Sequence, residues 1–128
     1  PLEEPGDQGC TPGYWKNLRK HGDSWTVLSP QQTVASAGFN STYFADTTLV
    51  DALAGGGGRG VEGAEKILLR AAVAGLLNIY SGDVAYATEN AAAFIADVNA
   101  ALASGNRSTM LSLGSTIDGW NNGGCPLN

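Results

Sequence analysis

The chain has 128 residues and a formal net charge of -5, with 43% hydrophobic and 15% charged residues. This length suits one domain with a single core, and the hydrophobic content is well above that of a disordered chain. The acidic balance and the lack of a basic run in the sequence argue against nucleic acid as a partner, because the field of the protein would repel a polyanion.

The first residues predict a tail followed by a helix. Residues 1–9, PLEEPGDQG, contain two prolines, three acidic residues and one aliphatic residue, which is typical of an extended tail or linker. Thr11 suits a helix N-cap and Pro12 the first helical position, so we expect a helix that continues through residues 14–20 and ends at Gly22. Residues 10–128 are expected to form one helical domain.

The middle of the chain lacks a sustained hydrophobic period. Residues 25–43 predict an irregular segment with one short helix after Pro30. Asp46 is then expected to cap a short helix with an apolar side at Leu49, Val50 and Leu53, and the tetraglycine at 55–58 ends it.

The strongest helical pattern lies at residues 62–80, EGAEKILLRAAVAGLLNIY, which begin with acidic residues and continue with apolar residues on nearly every side. The apolar run 67–77 is interrupted by Arg70 and is shorter than the roughly 20 residues that cross a bilayer, so no membrane span is expected. This segment predicts the central helix of a bundle.

Two further helices are predicted after it. Thr88 is expected to cap a helix that reaches Ala103, closed by Gly105, with one apolar stripe: Ala91, Phe94, Ile95, Val98 and Leu102. A last helix over residues 109–120 has its own apolar face: Met110, Leu113, Ile117 and Trp120. The fold class predicted is all-α, with about five helices around residues 62–80 and long irregular connections.

The two cysteines lie near opposite ends of the chain. Cys10 and Cys125 could form a disulfide or stay as buried thiols, whereas a structural zinc site is excluded because the chain has only one histidine beside them. We favour the Cys10–Cys125 disulfide, which would tie the first helix to the last and would indicate an oxidising, extracellular location. Because the sequence begins with Pro1 rather than Met, we also expect it to be a portion of a longer precursor.

Several motifs resemble catalytic or binding sites without completing them. The segment GGGGRG at 55–60 lacks the Lys-Ser/Thr ending of a P-loop, and Gly-Asp-Ser at 22–24 has no later histidine to act as a base. The acidic residues are scattered, with Glu62 and Glu65 at a helix start, so no pair of glycosidase carboxylates stands out. Residues 118–124, DGWNNGG, place Trp120 where a calcium loop needs an oxygen ligand. We therefore expect no catalytic residue, metal or cofactor.

Three aromatic residues near the first helix allow two interpretations. Tyr14, Trp15 and Trp25 could form an exposed surface on which sugar rings stack, or they could pack beneath the disulfide. We favour the core role, since a helix this short needs buried partners. Two sequons, at Asn40 and Asn106, lie in expected loops and mark possible glycosylation sites.

Five segments together resemble a domain family of secreted and cell-surface proteins that has a CTPGYWKNH-type signature and an NNxGCPL ending. They are, in chain order, CTPGYWKN, LVDALAGGGG, LLRAAVAGLLN, VNAAL and NNGGCPL. The sequence departs from the signature at Leu18, where the family has histidine. The resemblance implies an extracellular, disulfide-closed domain, often part of a larger surface protein, and it carries no known activity or catalytic residue.

These observations predict a non-enzymatic extracellular domain with a structural or interaction role. The expected partners are copies of itself or other surface proteins, with assembly into a fibre, appendage or layer, and the acidic tail could reach a neighbouring copy. The alternative is a carbohydrate-binding module that uses the exposed aromatics, so glycans remain a second class of partner.

Overall fold

The computed structural model describes residues 6–127, which fold into six α-helices and no β-strand. A 3₁₀ turn, Gly22–Ser24, follows the second helix, and two isolated β-bridges join Gly9 to Gly124 and Thr33 to Thr48. The helices are α1 (Pro12–Lys16), α2 (Leu18–His21), α3 (Leu49–Leu53), α4 (Gly60–Ser81), α5 (Ala91–Ala103) and α6 (Arg107–Asn121). The all-α fold class predicted from the sequence is confirmed.

The central helix α4 forms the axis of the core. Every residue from 71 to 78 is buried, as expected for a helix that is apolar on nearly all sides. It begins two residues before the predicted start and ends at Ser81, one residue after the predicted end. Gly82 follows as the C-cap, and its φ of +76° suits glycine.

Helices α5 and α6 both pack against α4 with a glycine at the contact, but the spacing requires a glycine only on the α5 side. A Cβ atom built on Gly114 of α6 would lie 3.5 Å from the Cα atom of Leu68. A Cβ atom on Gly75 of α4 would lie 2.6 Å from the Cζ atom of Phe94 in α5, so a side chain there would require the Phe94 ring to move. The apolar residues that α5 and α6 bury are largely those of the predicted stripes: Phe94, Val98, Leu102, Met110 and Ile117.

The starts of three helices differ from the predictions, either in the residue that caps the helix or in the first helical residue. Thr48, not Asp46, caps α3, and its hydroxyl accepts a hydrogen bond from the Asp51 N–H at 3.3 Å. Asn90, not Thr88, caps α5, while Asn106 caps α6, which begins two residues before the predicted start. The caps of α3, α5 and α6 are Thr or Asn, so the signal for a cap was present at more than one nearby position.

The predicted first helix is broken in two. The start at Thr11 and Pro12 is confirmed, but α1 ends at Lys16 and Asn17 caps the separate helix α2. The short helix predicted after Pro30 is wrong: residues 30–38 form turns, in which Val34 donates its N–H to the Thr47 carbonyl at 2.8 Å. Pairing between these two irregular segments therefore replaces a local helix.

Residues 6–9, the described part of the predicted tail, are hydrogen-bonded to the body of the domain. The N–H groups of Gly6 and Gln8 donate to the carbonyls of Tyr86 and Ala85 at 3.0 and 2.9 Å. Gly9 donates to the Gly124 carbonyl at 2.9 Å. The rest of the tail, residues 1–5, lies outside the described residues.

The predicted disulfide between Cys10 and Cys125 is present and joins the two ends of the chain. Their Cα atoms are 4.5 Å apart although 115 residues separate them in sequence. Cys10 is completely buried, and the bond connects the start of α1 to the segment that follows α6.

Replacing both cysteines with alanine is expected to lower the free energy of unfolding by roughly 4 to 5 kcal/mol, because a loop of this length regains its full conformational freedom in the unfolded chain. Urea unfolding of the oxidised wild type and the double variant, followed by circular dichroism, measures the difference. A loss below about 1 kcal/mol would show that the bond does not limit the unfolded ensemble as the loop-entropy relation requires.

Candidate functional site

The chain ends are also joined to the central helix through the side chain of Asn78. Its Oδ1 atom accepts hydrogen bonds from the Cys10 N–H at 3.0 Å and from the Trp15 indole N–H at 3.1 Å. Its Nδ2 atom donates to the Cys10 carbonyl at 3.0 Å and to Oδ1 of Asn121 at 3.1 Å. All the hydrogen-bonding capacity of this buried amide is used. We call Asn78, Asn121 and the Cys10–Cys125 disulfide the terminal clasp.

Asn121 extends the terminal clasp to α6 and to the loop after α4. Its Nδ2 atom donates to the Ala71 carbonyl at 3.0 Å, and its Oδ1 atom accepts the hydroxyl proton of Tyr86 at 2.6 Å. Burial raises the pKa of Tyr86 well above its usual value, so the hydroxyl remains a donor throughout the neutral and mildly alkaline range. The sequence pattern does not single out Asn78, Asn121 or Tyr86, and its only signal is the presence of asparagines beside apolar helix faces.

The three aromatic residues considered for sugar stacking are not presented together at the surface. Trp15 is 0% exposed and Tyr14 is buried, whereas Trp25 is partly exposed and donates its indole N–H to the Trp15 carbonyl at 3.0 Å. The rings of Trp15 and Trp25 meet edge to face, with centroids 6.3 Å apart. The burial of Trp15 and Tyr14 therefore disagrees with stacking on these two rings.

The Gly-Asp-Ser segment contributes to the same aromatic cluster. The Ser24 hydroxyl lies 2.8 Å from the Tyr14 hydroxyl, and the His21 ring stacks on the Tyr14 ring at 3.9 Å between centroids. Both residues therefore contact Tyr14, an arrangement that packs the turn against α1 and does not match a serine–histidine catalytic pair.

The two predicted glycosylation sites both lie at exposed asparagines. The backbone N–H of Asn40 donates to Oδ1 of Asn99 at 2.8 Å, and Oδ1 of Asn106 accepts from the Thr109 N–H at 3.0 Å as the cap of α6. Glycosylation at either position stays a prediction.

Glu65, one of the two acidic residues noted at the start of the central helix, is fully buried. Its Oε1 atom accepts from the Ser41 hydroxyl at 2.6 Å and from the N–H groups of Thr42 and Tyr43 at 3.1 and 3.4 Å. Its Oε2 atom is buried and has no hydrogen-bond partner among the described residues. One carboxylate oxygen therefore fixes the loop at residues 41–43 to the start of α4.

The loop between α3 and α4 has open backbone at its centre. Arg107 donates from one Nη atom to the carbonyls of Gly58 and Gly60, each at 2.8 Å, and so braces the end of the loop. Gly56 and Gly57 are exposed, and within residues 6–127 their backbone N–H and C=O groups have no hydrogen-bond partner. We call Gly56 and Gly57 the glycine strip.

The fold explains the glycines beside the strip but not the strip itself. A Cβ atom on Gly55 would lie 3.0 Å from Cγ of Lys66, and one on Gly58 would lie 3.1 Å from Cα of Gly63. A Cβ atom on Gly56 would meet nothing within 4 Å, and one on Gly57 would only touch the Ile67 side chain at 3.9 Å. Neither residue of the strip has a positive φ. Side chains would therefore fit at both positions in the isolated chain.

A cleft of about 320 Å³ lies on each side of the glycine strip. The cleft toward α6 is lined by Arg70 and Asp118, and the cleft toward α3 by Phe44, Asp51 and Lys66. Four of the seven basic residues of the chain surround the loop or follow it directly: Arg59, Lys66, Arg70 and Arg107. The glycine strip and its two clefts are the candidate interaction site.

No protein family, no curated protein and no solved structure matches this chain.

Within residues 6–127, no group of three or more His, Cys, Asp or Glu side chains is placed to hold a metal ion. None of the helices in this part of the chain combines the length and the apolar character needed to cross a membrane.

Replacing Asn78 with alanine is expected to lower the free energy of unfolding by roughly 3 to 5 kcal/mol, because buried polar groups of Cys10 and Trp15 lose their partners. Asn99→Ala is the matched control: the Asn99 side chain also joins two segments, because it accepts from the Asn40 N–H and donates to the Gly38 carbonyl and so links α5 to residues 38–40. It lies nearer the surface, where water can replace it. We expect about 1 kcal/mol there. Equal losses in chemical unfolding would contradict the role given to Asn78.

Replacing Glu65 with alanine is expected to destabilise the chain by roughly 2 to 4 kcal/mol, because the donors at residues 41–43 lose their acceptor. Glu65→Gln keeps one acceptor oxygen and is expected to cost less than half as much. Glu62→Ala, an exposed carboxylate one turn earlier, serves as control. Hydrogen exchange of the Thr42 and Tyr43 amides provides the local readout, and unchanged exchange in Glu65→Ala would contradict this anchoring.

Proposed function

We propose that this chain is a non-enzymatic extracellular domain whose role is structural, through association with copies of itself. The observation that carries the proposal is the glycine strip. Glycine costs conformational entropy on folding, and it is typical of positions where a backbone must approach a ligand or another chain closely. Since the isolated fold leaves room for side chains at Gly56 and Gly57, an external contact supplies the reason for glycine there.

The extracellular location is supported by the disulfide. Such bonds persist in oxidising compartments and are rare in the cytosol, where thiols are kept reduced. Because the bond and the terminal clasp hold both chain ends against α4, the domain would keep its shape under conditions outside the cell. A stable module of this kind suits a fibre, appendage or layer.

The surface favours polar contacts between copies over a large apolar interface. Among residues 6–127, Val27 and Tyr43 are the large hydrophobic residues with high exposure, at 61% and 52%. Charged and backbone groups surround the glycine strip instead. Association through such groups weakens as salt screens the charges.

The carbohydrate-binding alternative has less support, because Trp15 and Tyr14 are inside the core. Trp25 alone keeps a partly exposed ring, and one partly covered ring offers little stacking area.

The proposal is tested by sedimentation equilibrium of the purified oxidised chain over a hundredfold range of concentration, at low salt and at high salt. We expect oligomers that grow with concentration and shrink as salt is added, and electron microscopy of the concentrated sample should show ordered assemblies. A strictly monomeric chain at every concentration and salt would contradict the proposal.

A further inference from the structure

We propose that Asn122 is a site of spontaneous deamidation through the backbone nitrogen of Gly123, and that the last turn of α6 controls the rate of this reaction. Asn122-Gly123 is the one Asn-Gly pair in the sequence, within the segment DGWNNGG that resembles a calcium loop without completing it. Glycine after asparagine favours ring closure, because it places no side chain beside the attacking nitrogen. This chemistry does not depend on the proposed self-association, so the two can be tested separately.

The reaction needs only the chain and water. The Gly123 nitrogen attacks the side-chain carbonyl carbon of Asn122, so that a new N–C bond forms while the bond from this carbon to Nδ2 breaks. Ammonia leaves with the proton that the Gly123 nitrogen loses, and a cyclic imide remains. Water then opens the imide at one of its two carbonyl carbons, which yields either aspartate or isoaspartate. Both products carry a carboxylate, ionised at neutral pH, where the chain had a neutral amide.

Both reacting groups are engaged in hydrogen bonds at the end of α6. The Gly123 N–H donates to the Trp120 carbonyl at 3.2 Å, and Nδ2 of Asn122 donates to the Asp118 carbonyl at 2.7 Å. At the ψ of 14° that Asn122 adopts, the Gly123 nitrogen also points away from the Asn122 Cβ atom. The closed turn is therefore unreactive, because ring closure requires both hydrogen bonds to break and the backbone to rotate.

The turn can open without unfolding of the whole domain. Residues 122–124 are exposed, and Asn122 lies just beyond Asn121, the last residue of α6. Helix ends open locally at a lower free energy than the global transition. Asn121 is buried, and its Nδ2 atom donates to the Ala71 carbonyl, so this hydrogen bond limits the opening to the residues that follow. We infer that the reactive state is a local opening of residues 122–124.

Isoaspartate at position 122 would disturb the docking of residues 6–9. It routes the main chain through the former side chain and so adds one methylene group just before Gly123. Gly123 packs so closely that a Cβ atom built on it would overlap the Asp7 carbonyl oxygen, and the Gly124 carbonyl accepts the Gly9 N–H at 2.9 Å. A lengthened main chain cannot keep both contacts. The modification would therefore release residues 6–9 from the body of the domain.

Peptide mapping by mass spectrometry measures the conversion of Asn122 while the oxidised chain is incubated at neutral pH, with the same chain in denaturing urea as reference. We expect conversion in the folded chain to be roughly ten- to hundredfold slower, which corresponds to two hydrogen bonds that must break first. Equal rates would overturn the inference, as would an unfolded chain that does not react at Asn122. A folded rate slowed as far as the global unfolding equilibrium requires would also overturn it.

Gly119→Ala tests the control by the last turn of α6. A Cβ atom on Gly119 meets nothing within 4 Å and its φ is not positive, so alanine strengthens the helix without new contacts. We expect deamidation to slow roughly two- to fivefold. Gly22→Ala is the matched control, because Gly22 also has a helical backbone, with φ of -57° and ψ of -31°, but does not belong to α6. Equal deamidation rates in the two variants would overturn the inference.

Hydrogen exchange of the Gly6 and Gln8 amides tests the consequence of the modification. Chromatography of aged protein separates unmodified chains from chains with isoaspartate at position 122, and we expect faster exchange of both amides in the isoaspartate fraction. Asn122→Asp is the matched control, since it adds the charge without the extra methylene group. Unchanged exchange in the isoaspartate fraction would overturn the release of residues 6–9, and so would equally fast exchange in Asn122→Asp.

Discussion

The structure depends on one buried amide, the side chain of Asn78. It directly follows the apolar run 67–77 of α4, and its four hydrogen bonds reach Cys10, Trp15 and Asn121. A buried amide with even one unmatched group is costly, so this position tolerates only an arrangement in which both chain ends are present and correctly placed. The disulfide adds a covalent link at the same point, and it joins ends that the hydrogen bonds already align.

The sequence predicted the helical elements whose signals are local and periodic. The pattern of α4 and the apolar faces of α5 and α6 were sufficient for the fold class, and two cysteines near opposite ends favoured the disulfide, now confirmed, over buried thiols. The helix starts were less certain because Thr, Asp and Asn near each start compete for the cap, and the choice is made by packing. The break at Asn17 and the turns after Pro30 depend on contacts with distant segments, which a local pattern does not contain.

The buried polar residues could not be predicted for a related reason. Asn78 and Glu65 each follow a helical pattern in which a polar residue usually faces solvent, yet both are fully buried because another segment supplies hydrogen-bond partners. Those partners are 68 and 23 residues away in the sequence. The glycine strip is a similar example: the tetraglycine is evident in the sequence, but only the structure separates Gly55 and Gly58, which packing explains, from Gly56 and Gly57, which it does not.

A rigid core with an exposed loop suits a domain that associates with its own copies, because the contact can form without reordering the fold.

The central claim is that the buried amide of Asn78 holds the first helix to the core. It is tested most directly by hydrogen exchange of the Trp15 indole N–H in the oxidised protein, followed by NMR. The account predicts exchange only through global unfolding, with the same protection as the amides at the centre of α4. Fast exchange of this proton while those amides remain protected would contradict it.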